Sequence, residues 1–473
     1  MGLKSTLLLS AAASAAAEKV HGAVVFSRHG DRTAKWYGSQ QLTSLGAEQN
    51  FRVGGDYRAR YLESDSEHQI VGISEDEYVP SQVFASAPDQ GILMNTATAF
   101  LQGLYPPLSG IAPALATQTL NNGSNSTSPL DGYQYVFLQG VDDSSPDTIW
   151  IKGDDDCPGY VESSKAFQKS DVFLQRDDET RNFYDGFYDI LADDVYNIEP
   201  EDLTYANAYS IFDLINVARI HNESSAALNV SDEDFLRLRT LADSAELGKN
   251  WNLSEPDRSI GAETLSGAIL AKLNETVTSG GQLKFSLFAG SYDTFLAFFG
   301  LSGLLDVSEE FYGLPGYAST MAFELYADGD DEDFPAEDDL RVRFLFRNGT
   351  AGELQAFPLF GTGDDTLSYA TFLDKMNDQA ITGVSTWCNR CQSATDFCAA
   401  YDNASTNGQE DKDSGKGGMS NAVAGVIGAM VTLGVVAVVG GVAFVLMKCK
   451  KQRLVAAAAD KSSIHSGSVD VKA

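Results

Sequence analysis

An α/β fold with a mostly parallel central sheet follows from three features of the sequence. Residues 20–27, VHGAVVFS, form a continuous apolar run, and strands that read this way are covered by helices on both faces. Strand-like and helix-like stretches then alternate as far as about residue 110. After a long, mostly helical interruption, QLKFSLFAGSYDTFLAFFGLSGLL (282–305) returns to strand, turn and helix.

Taken in order, residues 1–17 (MGLKSTLLLSAAASAAA) carry one lysine, an apolar stretch and then small residues. That is the pattern of a secretory signal cleaved near Ala17. Residues 18–110 make the first part of the α/β core. Within it, 43–63 predict a helix with Thr43 as N-cap and Gly54-Gly55 as an interruption. Residues 81–89 (SQVFASAPD) predict a strand running into a turn, and 92–105 a helix stopped by Pro106-Pro107. Residues 111–280, where polar loops alternate with helical stretches such as NAYSIFDLINVARIH, read as an inserted helical cap.

Residues 281–400 make the second part of the core and include two more strands, STMAFELYA and LRVRFLFRN. In the second, Val342, Phe344 and Phe346 face one side and Arg341, Arg343 and Arg347 the other, the period of a half-buried strand. The intervening DGDDEDFPAEDD lacks the spacing of a calcium loop and reads as a solvated hairpin tip. Residues 401–420 are a flexible stalk. The uncharged 27 residues at 421–447 are long enough to cross a hydrocarbon core of about 30 Å. Lys448, Lys450, Lys451 and Arg453 follow and put the tail, 448–473, in the cytosol. They also argue against a cleaved lipid-anchor signal. The expectation is a single-pass type I membrane protein with its bulk extracellular or lumenal, at the cell surface or in a vacuole.

Charge narrows the function. The chain has 33 basic and 66 acidic residues, net −33. Residues 18–420 are more acidic still, at 26 against 64, net −38. A phosphate backbone is repelled by such a surface, which excludes nucleic acid as a partner and makes an inositol phosphate a less attractive substrate. Cys157, Cys388, Cys391 and Cys398 suit two disulfides in an oxidising lumen. Cys388-x-x-Cys391 lacks the second pair of a zinc site, so no metal or other cofactor is expected. Asn122, Asn125, Asn222, Asn229, Asn252, Asn274, Asn348 and Asn403 head N-x-S/T acceptors for glycosylation.

The chemistry concentrates where the first strand stops, at Arg28-His29-Gly30-Asp31-Arg32. Ligands bind at the C-terminal edge of parallel strands, and the planar fork of arginine matches phosphate oxygens. Neutral His29 could attack phosphorus, and departure of an alkoxide then requires a carboxylic acid opposite. Colinear with RHGDRT are QLTSLGAEQ with YRARY, FLQGLYPPL, DCPGY, LFAGSYDTFLAFFGLSGLL, and MAFELY with RVRFLF. On these motifs the chain resembles the histidine acid phosphatase family of the phosphoglycerate-mutase-like superfamily, in a fungal-type, membrane-anchored form. The resemblance spans about residues 20–398. It implies a three-layer α/β sandwich with an inserted helical cap, and hydrolysis of small phosphomonoesters. It also implies that His29 is the phosphorylated nucleophile, Asp293 in SYDT the general acid, and Arg28 and Arg32 the phosphate ligands.

Two departures stand out. The family's His-Asp pair is Tyr292-Asp293 here, and where the family has a further phosphate-binding arginine this chain offers only Gln90 and Gly91. Ala34 also replaces a proline. Two lost charge-assisted hydrogen bonds, at roughly 1.5–3 kcal/mol each, would slow turnover by about 10²–10⁴. Two readings follow: a phosphomonoester hydrolase with a weakened clamp, or an anion-binding protein that keeps the fold without turnover.

Overall fold

The computed structural model describes residues 18–192, 198–329 and 333–405. The expected signal (1–17), membrane helix (421–447), cytosolic tail (448–473) and most of the stalk lie outside the described residues. Among the described residues, no helix is long and apolar enough to cross a membrane.

The strands are β1 (Glu18–Arg28), β2 (Val83–Pro88), β3 (Thr117–Thr119), β4 (Asn125–Thr127), β5 (Gln139–Val141), β6 (Phe285–Gly290), β7 (Thr320–Asp328), β8 (Arg341–Arg347), β9 (Gln355–Ala356) and β10 (Thr366–Ser368). β3 and β4 form a separate ribbon. The rest form one sheet in the order β10-β8-β7-β1-β6-β2-β5, with β9 on β8. β1–β6, β6–β2 and β2–β5 are parallel, whereas β1–β7, β7–β8, β8–β10 and β8–β9 are antiparallel. The sheet is therefore mixed, and the expectation of a mostly parallel one is corrected. After β6 the chain passes through a helix (Tyr292–Leu301) to the far side of β1, where β7, β8 and β9 follow one another by helix-poor connections, and strands joined so run antiparallel.

β1 is central and buried from Val20 to Arg28, in keeping with its apolar run. Its side chains alternate between two clusters. Val20, Ala23 and Val25 join Tyr57 and Phe100 of helices α1 (Ser44–Tyr61) and α2 (Gly91–Leu104). Val24 and Phe26 join the core that holds Leu265, Ile269, Phe295 and Phe298. Helix α1 begins on Thr43, whose hydroxyl accepts from Gly46 N–H at 3.0 Å. Gly54-Gly55 does not interrupt it. A Cβ on Gly54 would lie 2.0 Å from the Phe100 carbonyl oxygen, so this glycine serves the close crossing of α1 and α2.

Between β5 and β6 the chain is helical. It includes α3 (Ala208–His221), α4 (Asp232–Asn250) and α5 (Ile260–Thr278), and α6 (Tyr292–Leu301) follows β6. The last described helix runs from Asp396 to Ser405, into the start of the expected stalk. All four cysteines among the described residues are paired, Cys157 with Cys391 and Cys388 with Cys398. The C-x-x-C cysteines thus bond elsewhere and not to each other.

Candidate active site

β1 delivers the chain to the sheet edge at Arg28. His29 N–H donates to the Gly290 carbonyl at the end of β6 (3.3 Å), and the His29 carbonyl accepts from Ala318 N–H (3.1 Å). Asn50 Nδ2 donates to the Arg28 carbonyl (3.1 Å), and Asp31 N–H donates to Gln49 Oε1 (2.7 Å). The start of α1 therefore holds the turn. It presses so close that a Cβ on Gly30 would lie 2.2 Å from the Gly46 carbonyl oxygen. No other residue type fits there.

The His29 imidazole is 3% exposed. Its Nδ1 lies 2.9 Å from the Gly30 carbonyl oxygen. A carbonyl only accepts, so Nδ1 carries the proton and Nε2 keeps its lone pair. Burial, then the charges of Arg28 and Arg32, hold the ring's pKa well below 6.5. Both effects favour the neutral imidazole.

Both arginines are buried. Arg28 donates through Nη1 to the Pro315 carbonyl, and its guanidinium lies 4.9 Å over the Tyr317 ring and 5.4 Å over the Tyr292 ring. Arg32 Nη1 reaches Asp213 Oδ1 and Oδ2 at 3.0 and 2.9 Å, and Nη2 reaches the Tyr209 hydroxyl at 2.7 Å. Burial opposes the Arg32 charge, but Tyr209 and Asp213 prevail and hold its pKa above the ordinary value. The Nε–H of each arginine has no partner among the described residues. A buried donor left so costs about 1–3 kcal/mol, and two on one loop suit an incoming anion.

Asp293 stands in the first turn of α6, three residues beyond Gly290, which pairs with Arg28. Its Oδ1 accepts from Thr294 N–H at 2.9 Å. Burial pushes its pKa up, with Lys35 and the Thr294 N–H opposing. Asp154 is pushed well up by burial and then by Asp293 and Asp155. Two neighbouring carboxyls that both resist ionisation retain a proton at acid pH. Asp293 lines a cleft of about 250 Å³ with Lys35, Tyr160, Tyr209, Glu246, Lys249 and Tyr292 among others. The Tyr292 hydroxyl donates to Glu246 Oε2 (2.8 Å) and accepts from Lys35 Nζ (3.3 Å).

The structure thus gathers Arg28, His29 and Arg32 on one loop and puts Asp293 on the neighbouring strand's exit. Tyr292 stacks under Arg28. Gln90 precedes α2 at the end of β2, one strand beyond β6, so about 10 Å of sheet separates its strand from β1. Lys35, Tyr209, Asp213, Glu246, Tyr317 and Asp154 were not singled out from sequence. Asp213 had a signal: an acid within the apolar SIFDLINV has to be buried with a partner.

A family described as histidine phosphatase superfamily (branch 2) matches residues 33–347, more than half of the chain. The chain belongs to this superfamily. The match begins directly after Arg32, so the RHGDR stretch stands on the geometry above. Among curated proteins, this branch 2 histidine phosphatase is 23% identical to a lysosomal acid phosphatase of Xenopus laevis over 237 residues, 47% of this chain and 48% of the relative. It therefore spans about half the length of the curated relative it matches. Among solved structures, the apo form of a Hafnia alvei phytase aligns with TM-score 0.50 at 11% identity, covering 77% of this chain and 98% of that one. A D. castellii phytase aligns with TM-score 0.50 at 12% identity, covering 80% and 82%. At these identities the likeness is one of fold.

Proposed function

We propose that this branch 2 histidine phosphatase hydrolyses phosphomonoesters through a phosphohistidine at His29. The observation that carries the reading is the state of His29: a buried, neutral ring whose Nδ1 is pinned by the Gly30 carbonyl, between two buried arginines.

Substrate phosphate oxygens accept from the free Nε–H groups of Arg28 and Arg32. The lone pair of His29 Nε2 forms a bond to phosphorus as the bond from phosphorus to the ester oxygen breaks. The leaving oxygen takes the proton of the Asp293 carboxyl. The phosphorylated ring is now cationic, and the Gly30 carbonyl holds its Nδ1–H. Water then attacks phosphorus, Asp293 recovers a proton from it, and phosphate leaves with His29 neutral again. The tyrosine-stacked arginines are the electrostatic term, which in such sites is commonly the largest.

The reading extends to delivery. Residues 1–17 would direct the chain to the secretory pathway, 111–280 would form the cap over the site, and 421–447 would anchor it with the site lumenal or extracellular. Paired cysteines support an oxidising compartment.

Release of phosphate from a small aryl phosphate at pH 4–6 tests the activity, and alkali-quench labelling, which preserves a phosphorus–nitrogen bond, tests the intermediate. The expected outcome is His29-dependent turnover and label. Activity equal in the wild type and His29→Ala would end the proposal. One observation favours binding without turnover: both Nη groups of Arg32 are already committed to Asp213 and Tyr209. That reading requires phosphate binding by calorimetry with no labelled histidine.

A further inference from the structure

Helix α3 grips the RHGDR loop at two places. Tyr209 and Asp213, about one turn apart, hold Arg32. Roughly two turns further on, His221 ends the helix, and its Nε2 lies 2.6 Å from Asp31 Oδ1. The Asp31 side chain is fully buried, whereas that of His221 is 37% exposed. A carboxylate oxygen only accepts, so the proton of this bond sits on His221 Nε2. Thr43 Oγ1 is the other donor to Asp31 Oδ1, at 2.5 Å, and Oδ2 has no partner among the described residues. Acidic side chains are almost never fully buried unless paired. Here the partner comes from the helical segment and the acid from the loop that carries His29.

The consequence for His29 runs through the peptide that Asp31 shares with Gly30. A peptide unit is planar and turns as one body. The carbonyl of this one holds His29 Nδ1 at 2.9 Å, and its N–H donates to Gln49 Oε1 at 2.7 Å. If the plane turned away from the imidazole, Nδ1 would lose its acceptor, and neither the tautomer nor the direction of the Nε2 lone pair would be specified. Glycine does little to resist such a turn, so the plane has to be held from the Asp31 side. The Asp31 carboxyl, fixed by His221 and Thr43, is the anchor on that side.

Resting on the phosphohydrolase reading, we infer that His221 is a positioning residue: through Asp31 it locks the Gly30–Asp31 peptide that orients the His29 ring, and so couples the helical segment to phosphoryl transfer. The test is single-turnover, alkali-quench labelling by an aryl phosphate in the wild type, His29→Ala, His221→Ala, His221→Asn and His221→Gln. The amplitude of labelling reports the fraction folded and the rate constant does not, so a destabilised variant still reports. The glutamine amide can reach the place of Nε2, and the shorter asparagine amide cannot. His221→Ala and His221→Asn are expected to lower the rate constant by about tenfold or more, the scale of a sub-ångström misplacement, and His221→Gln to stay within about threefold of the wild type. On an Asp31→Ala background, His221→Ala is expected to change it less than about twofold, because the route is already cut. A wild-type rate constant in His221→Ala, a glutamine variant as slow as the alanine one, or a further loss of about tenfold on the Asp31→Ala background overturns this inference alone. If the wild type takes up no His29-dependent label, the phosphohydrolase reading falls and this inference with it.

Discussion

Asp213 receives one nitrogen of Arg32 on both carboxylate oxygens, at 3.0 and 2.9 Å, and neither side chain reaches solvent. The same Asp213 Oδ2 accepts the Lys35 backbone N–H at 2.8 Å. One buried carboxylate on α3 thereby fixes both Arg32 and the lysine of the cleft. Asp213→Ala leaves the Arg32 charge buried without its partner, a change that costs about 3–5 kcal/mol. Urea unfolding should show that loss. Asp213→Asn keeps the shape and removes only charge, and should lower kcat/KM for an aryl phosphate at least tenfold while retaining more stability than the alanine variant. Unchanged kcat/KM in the asparagine variant would show that Arg32 needs no splint.

Gly46 gives a second test, at the loop that carries His29. A Cβ there would lie 2.0 Å from the Asp31 carbonyl oxygen. Alanine normally improves a helix by roughly 0.5–1 kcal/mol over glycine, but in α1 the added methyl has to displace the loop that carries His29. A shift of about 1 Å can cost 10²-fold in rate. Gly46→Ala is expected to keep its far-ultraviolet circular dichroism and lose activity on that scale.

How much of this was legible beforehand depends on the kind of interaction. β1, β2, α1, α2, β6, α6, β7 and β8 announce themselves by local period, cap and punctuation, and each lies within a few residues of its sequence-derived place. Strand direction is a property of connections, and an apolar run cannot tell a central mixed-sheet strand from a parallel one. That is why β7 and β8 turned the expectation. At the site, the RHGDR stretch could be read because it sits on a strand exit, and Asp293 only through the family resemblance of SYDT. Asp213, Glu246 and Asp154 come from distant helices and loops. Their sequence contexts state burial at most, never the partner, and only the folded chain pairs Arg32 with a residue 181 positions away.

The disulfide between Cys157 and Cys391 ties the start of the helical segment to the end of the described fold across 234 residues. Loop-closure entropy assigns such a link up to about 5 kcal/mol of stability, and the 10-residue Cys388–Cys398 link about half as much. Replacing Cys157 and Cys391 by serine should therefore lower the unfolding free energy more than replacing Cys388 and Cys398. Denaturant titration of the two double variants decides the order. The opposite ranking would show that local geometry outweighs loop length.

The pH profile follows from the opposite shifts of His29 and Asp293. In the proposed mechanism catalysis needs His29 neutral, and its pKa is depressed well below 6.5. The rate therefore climbs as pH rises through that low value. Catalysis also needs Asp293 protonated, and its pKa is raised above 3.8, so the rate falls as pH rises through that value. The expected kcat/KM profile is a bell whose acid limb lies well below pH 6.5 and whose alkaline limb lies above 3.8. Asp293→Asn removes the proton donor. It should cost about 10²–10⁴ with an alkyl phosphate, but far less with a nitrophenyl phosphate, whose leaving group departs without a proton. Stability carries the same signs. The neutral His29 ring contributes stability that is present above pH 6.5 and is lost as pH falls through its folded pKa. The protonated Asp293 carboxyl contributes stability that is present below its unfolded pKa and is lost as pH rises through its folded one. Chemical denaturation between pH 6.5 and 4 should therefore show His29→Asn losing less stability on acidification than the wild type. Parallel acid curves for the two proteins would mean that the imidazole is not held neutral by its surroundings, and the nucleophile assigned to it would have to be sought elsewhere.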